Sequence, residues 1–103
     1  MGDRSYIVNL TKGDRIRIKF HTTKNKVTSF VVNYEALAKN RWREIVRYDT
    51  FHGFVHQDIL HYRKKSDKIK LDITDLNQAM NYAIQDIKAR WRNYREKFEK
   101  EIK

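Results

Sequence analysis

No cysteine occurs among the 103 residues. That absence excludes disulfide frameworks, thiolate nucleophiles and cysteine zinc sites together. Proline is also missing, and glycine occurs only at positions 2, 13 and 53. Glycines so isolated build neither a Walker loop nor a dinucleotide fingerprint, and no nucleophile elbow for a Ser–His–Asp triad is present. No apolar run approaches the roughly 18 residues that a membrane-spanning helix needs. The segment Met1-Gly2-Asp3-Arg4-Ser5 lacks the apolar stretch of a signal peptide. A soluble cytoplasmic protein without membrane attachment is the expectation.

Acidic residues are in short supply. Thirteen Asp and Glu face 23 Lys and Arg, a formal net charge of +10. Such an excess attracts polyanions, and counterion release makes nucleic acid the commonest of them. The hydrophobic share of 40% is too high for a disordered tail and, at this length, suits one domain spanning residues 1–103.

Periodicity divides the chain into a strand-rich part and a helix. Arg15 to Phe20 alternates, with Ile16, Ile18 and Phe20 on one face. Val27 to Tyr34 is β-branched and aromatic, and reads as a second strand. Lys39-Asn40 reads as a turn tip, because Asn tolerates positive φ. Arg41 to Tyr48 follows as a third strand. Simple alternation puts Trp42, Glu44, Val46 and Tyr48 on one face and Arg41, Arg43, Ile45 and Arg47 on the other. Val55 to Tyr62 gives a fourth strand, with His56, Asp58, Leu60 and Tyr62 on one side and His61 on the other. Arg63 to Asp67 reads as a loop, and Lys68 to Ile73 alternates again, with Ile69, Leu71 and Ile73 expected inside. Tyr6 to Leu10 could supply one more short strand. From Thr74 the period becomes 3.6: Leu76, Ala79, Met80, Ala83, Ile84, Ile87, Trp91, Tyr94 and Phe98 form one stripe. Thr74 or Asp75 is the expected N-cap. The expected fold is α+β, an antiparallel sheet of four to five strands packed against one long C-terminal amphipathic helix.

Chemistry concentrates in one segment. Three of the four histidines, His52, His56 and His61, lie within ten residues, beside Arg47, Tyr48, Asp49, Asp58 and Gly53. Strand ends and hairpin loops are where scaffolds present functional groups. Alternation separates His61 from His56. An imidazole can take the 2′-hydroxyl proton of RNA while another group protonates the leaving oxygen. A guanidinium can stabilise charge growing on the phosphate, and Tyr48 could stack a base. The expected catalytic set is His52, His56, Asp49 and Arg47. The expected nucleic-acid contacts are Arg41, Arg43, Tyr48, Arg90, Arg92 and Arg95. A metal site of His52 and His56 with Asp49 or Asp58 competes, but spacing four gives no shared face on turn and strand, so neither metal nor cofactor is expected.

The element Tyr48-Asp49-Thr50-Phe51-His52-Gly53-Phe54-Val55-His56 resembles the Tyr-Asp-Asn-x-His-Gly-x-x-His element of TumE-like toxins from prokaryotic toxin–antitoxin pairs. It is similar also to an uncharacterised family of small prokaryotic proteins in which this element precedes a C-terminal helix. The helix opening Asp75-Leu76-Asn77-Gln78-Ala79 and the stretch Ala83-Ile84-Gln85-Asp86-Ile87 fit that second family. Thr50 stands where the toxins often have Asn, and Gln57-Asp58 replaces a His-rich tail. The resemblance marks Asp49, His52 and His56, and implies a ribosome- or RNA-directed activity with an antitoxin partner.

The functional expectation is an RNA-directed protein, read as a metal-independent ribonuclease toxin. A non-catalytic nucleic-acid-binding or regulatory module is the alternative. A helix from Thr74 to about Lys100 would span roughly 40 Å. Five strands side by side would cover only about 20–25 Å of it. Trp91, Tyr94 and Phe98 are then expected on an overhang that joins a second copy as a homodimer.

Overall fold

The computed structural model describes residues 2–102, apart from the His52 side chain. A six-stranded antiparallel meander, β1 to β6 in simple sequence order, carries a single helix on one face. The strands are β1 (Gly2–Thr11), β2 (Asp14–Thr23), β3 (Lys26–Ala38), β4 (Arg41–Asp49), β5 (His56–His61) and β6 (Lys64–Lys70). A short 3-10 turn, Phe51–Gly53, joins β4 to β5, and the helix α1 spans Leu76–Ile102.

The α+β layering matches the expectation from periodicity, with more strand than the alternation signalled. β1 is a full ten-residue strand and not a short addition. The polar stretch from Lys64 is part of β6 and not a loop, the turn being Tyr62-Arg63. Ile69 is 46% exposed because β6 is an edge strand, while Leu71 and Ile73 pack on the core from the connection to α1. Lys-rich edges such as this one discourage pairing with other chains.

Tight hairpins set the register. Lys24 and Asn25 both have positive φ, as do Lys39 and Asn40. That pair of left-handed residues is what a twisted two-residue hairpin requires. Helix α1 opens where expected: Asp75 Oδ1 accepts the Gln78 amide at 3.1 Å.

The helix lies along β3. Asn77 Oδ1 accepts the Val27 amide at one end (3.1 Å), Trp91 packs on Tyr34 in the middle, and Arg95 donates to the Leu37 carbonyl at the other end (3.1 Å). The thirteen residues of β3 extend roughly 43 Å, which matches the helix. The overhang inferred from sheet width therefore does not exist. Phe98 is 6% exposed against Tyr62, and Tyr94 is half-buried. Among the described residues, no helix is long and apolar enough to cross a membrane.

One local irregularity shapes the other face. Between Tyr34↔Val46 and Glu35↔Glu44 the ladder skips Ile45, a β-bulge. Ile45 and Val46 are both buried, and Arg47 returns to the same face as Glu44. Simple alternation had placed Arg47 opposite Glu44, and the bulge corrects that.

Candidate functional site

The ladder between β4 and β5 places Asp49 opposite His56 and Arg47 opposite Asp58. All four project from the sheet face away from α1. Arg47 is the hub. Its terminal nitrogens donate to Glu44 Oε1 at 2.8 Å and Asp58 Oδ2 at 2.6 Å. Its Nε lies 3.0 Å from Asp49 Oδ2, off the hydrogen-bonding line. Asn33 Nδ2 donates to the other oxygen of Glu44 at 2.5 Å. Burial disfavours the charged guanidinium, but its bond to Asp58 and the charges of Glu44, Asp58 and Asp49 hold the Arg47 pKa above its usual value.

Asp58 is fully buried. Among the described residues its second oxygen makes only a charge contact, with Lys68 Nζ at 3.4 Å. His56 Nε2 lies 2.8 Å from Asp49 Oδ1. In the neutral tautomer that carries its proton on Nε2, toward this carboxylate, Nδ1 keeps its lone pair. That Nδ1 is buried and has no hydrogen-bond partner among the described residues. Phe54 packs 5.6 Å from the imidazole, centroid to centroid. Asp49 also accepts the Phe51 amide at 3.1 Å, fixing the turn that follows it. Gly53, at φ 83, supplies the left-handed residue that ends this turn.

A cleft of about 730 Å³ runs past the cluster. Its wall includes Lys19, His21, Arg47, Asp49, His56 and Lys68. Asp49, His56 and Asp58 offer ligand atoms within 4.8 Å of one another, enough to hold a metal ion. The guanidinium of Arg47 already supplies the positive charge that these carboxylates need.

The expected catalytic residues thus divide. Asp49, His56 and Arg47 converge, and the His52 side chain lies outside the described residues. His61 stands apart from His56, as alternation indicated. It bridges Asp67 Oδ2 at 2.8 Å and Glu101 Oε2 at 2.6 Å, contacts that raise its pKa.

The expected nucleic-acid contacts scatter. Tyr48 is 1% exposed and faces the helix, so it has no surface on which a base could stack. It donates to Asp86 Oδ2, which also accepts from Tyr94 at 2.6 Å, and Gln57 donates to the Tyr48 hydroxyl at 2.8 Å. Burial and the shared carboxylate push the Tyr94 phenol up to about 12 and hold that of Tyr48 well above its ordinary value. Arg95 is a structural clamp: it binds Asp14 Oδ1 at 2.8 Å and the Leu37 carbonyl. Arg90 reaches Asp86 Oδ1 at 3.4 Å, and Arg92 covers Trp91. These three lie in the helix layer, on the other side of the sheet from His56. Arg41 and Arg43 start β4, at the end remote from Asp49.

Sequence reasoning missed Glu44, Lys68, Lys19 and His21 as neighbours of the cluster. Asp58, two residues beyond His56 and on its face, was the available signal. The others required the strand order.

The chain matches the DUF7718 family, described as a domain of unknown function, over residues 1–103, and belongs to that family. No curated protein and no solved structure matches it. Nothing among these comparisons links it to TumE-like toxins.

Proposed function

We propose that this DUF7718 protein is RNA-directed, and that its Asp49–His56 pair cleaves the RNA backbone by acid–base chemistry without a metal. The supporting observation is the convergence of His56, Asp49 and Arg47 on one cleft. Asp49 orients the imidazole and would stabilise the imidazolium, as the carboxylate of a catalytic triad does. His56 Nδ1 takes the 2′-hydroxyl proton, the freed oxygen attacks the adjacent phosphorus, and the 5′-oxygen leaves. Lys68 and His21, on the same cleft, are the groups able to protonate that leaving oxygen. DNA lacks the 2′-hydroxyl, so the chemistry is confined to RNA. The shielding of Nδ1 requires the segment carrying Phe54 to move aside when RNA enters. The toxin–antitoxin reading adds a protein partner, expected to be encoded beside this chain.

One observation favours the second reading, a non-catalytic binding module. Arg47 is already met by Glu44, Asp49 and Asp58, which leaves it little capacity for a phosphate. Incubation with single-stranded RNA in EDTA separates the two. Wild-type protein should cleave, and His56→Ala, His52→Ala and Asp49→Asn should each slow cleavage by about a hundredfold or more while circular dichroism stays native. Binding without cleavage in all four proteins would establish the module instead. Activity lost in EDTA and restored by one divalent ion would point to Asp49, His56 and Asp58 as metal ligands.

A further inference from the structure

The sheet parts between β4 and β5. Their ladder runs from Asp49↔His56 to Val46↔Ile59 and stops, leaving Arg41–Ile45 of β4 without a β5 neighbour. Beyond that point β5 pairs only with β6, and its own register slips near Leu60. The separation opens a cavity of about 580 Å³, walled by residues 41–44 on one side and 60–63 on the other, with Phe98 of the helix between them.

The charges around this gap differ in kind from those around His56. Arg43 Cζ, Arg63 Cζ and Lys39 Nζ all lie 5.1–5.3 Å from the centre of the Tyr62 ring. Among the described residues, no carboxylate lies within ion-pairing distance of Lys39, Arg41, Arg43 or Arg63. Glu44, in the wall of the gap, is already engaged by Arg47, and Glu101 of α1 is engaged by His61. Three uncompensated cations in the wall of one concavity, with Lys39 beside it, repel one another, and an anion relieves that repulsion. The Tyr62 phenol responds to them: burial would raise its pKa, but Arg63, Lys39 and Arg43 hold it below the ordinary value.

We infer that the gap between β4 and β5 is a binding site for the phosphates of a single-stranded nucleic acid, lined by Arg41, Arg43 and Arg63 around Tyr62, with Lys39 beside that ring. A duplex is too wide for a cavity of this size, which falls in the range of small-ligand pockets. Arginines interleaved with an aromatic ring suit a strand whose bases are free to stack. Arg43 and Asp49 are six residues apart on β4, roughly 20 Å. A strand threading the gap, whose wall runs from Phe98 on the helix side to Glu44 on the face of the cleft, can reach Asp49 and His56 over several nucleotides. This reach rests on the reading of that cleft as the RNA-directed site; the anion site itself does not.

The test is binding of a fluorescently labelled uridine oligomer, measured by anisotropy across a salt series. Lys39 and Arg63 both have positive φ, so Lys39→Asn with Arg63→Asn removes two charges while keeping backbone conformations that Asn accepts. This double variant should bind at least about tenfold more weakly at moderate salt. Its log–log salt slope should fall by about 1.4, the loss of two phosphate contacts to a single strand. Tyr62→Ala should weaken binding while Tyr62→Phe retains it, and Lys88→Gln, a charge removed from the exposed surface of α1, should leave it unchanged. Unaltered binding in the double variant, equal affinity for the matching duplex, or no binding by wild type at low salt would overturn the inference. Cleavage that persists while the double variant binds normally would sink the gap and leave the cleft reading intact. Binding at the gap without cleavage would do the reverse.

Discussion

Arg47 satisfies three carboxylates at once, and Asp58, its partner at 2.6 Å, has no exposed surface. Removing the guanidinium leaves a buried carboxylate with only the more distant Lys68. An uncompensated buried charge of this kind costs about 3–5 kcal/mol. We expect Arg47→Met to lower the unfolding free energy by about 3 kcal/mol, read by urea denaturation at neutral pH. Arg47→Met with Asp58→Leu should recover much of the loss, since apolar residues of similar size replace such pairs at little cost. A double variant as unstable as the single one would show that Asp58 is not the group left stranded. Arg47 and Asp49 were legible as neighbours because they stand two apart in sequence, although Asp49 was expected in the turn and is in fact the last residue of β4. Glu44 was not: alternation put it on the opposite face, and only the extra residue Ile45 brings it round.

For the helix, orientation matters more than length. A helix crossing the strands would outrun the sheet, and its aromatic end would be bare. Helix α1 instead follows β3, pinned at Val27, Tyr34 and Leu37. Its final turns are fixed by Phe98 against Tyr62 and by Glu101, which accepts the Tyr62 amide at 3.0 Å. Phe98→Ala should therefore destabilise the protein by about 3 kcal/mol, the usual cost of removing a buried phenylalanine. On an overhang the same change would leave the fold nearly unaffected, so thermal unfolding of the dilute protein discriminates. The stripe from Leu76 to Phe98 was read correctly from its spacing. What covers the stripe depends on an angle between helix and strand that one-dimensional periodicity does not contain.

Across the whole molecule, His61 ties three elements together: its own strand β5, Asp67 on β6 and Glu101 on α1. Lys64 also faces Glu101, at 3.9 Å. Hydrogen bonds to Asp67 and Glu101 raise the His61 pKa from its ordinary 6.5. Burial opposes ionisation of Glu101, but the Tyr62 amide and His61 bring its pKa below 4.5. The raised histidine contributes stability that is complete below pH 6.5 and is lost as pH rises through its folded pKa. The lowered glutamate contributes stability present above pH 4.5 and lost as pH falls through its own folded pKa. The clasp is thus strongest between those limits. The melting temperature of wild-type protein should drop by a few degrees between pH 6 and pH 8, and His61→Ala should remove most of that slope. An identical slope in both proteins would assign the pH dependence elsewhere.

Composition and periodicity were enough for the α+β class, the strand-to-helix change near Thr74, a cap at Thr74 or Asp75, the turn at Lys39-Asn40 and the separation of His61 from His56. Each depends on residues within a few positions of one another, where side-chain direction and backbone preference act locally. Tertiary packing alone settled the rest. It buried Tyr48 beneath the helix, engaged Arg95 with Asp14, surrounded Arg47 with acids from β4 and β5, and left Arg43 and Arg63 unneutralised beside Tyr62. Those outcomes turn on a bulge at Ile45, the parting of β4 from β5 and the path of α1 along β3. All three arise from contacts between residues distant in sequence, and whether a given cation meets a carboxylate depends on such contacts rather than on its immediate neighbours in the chain.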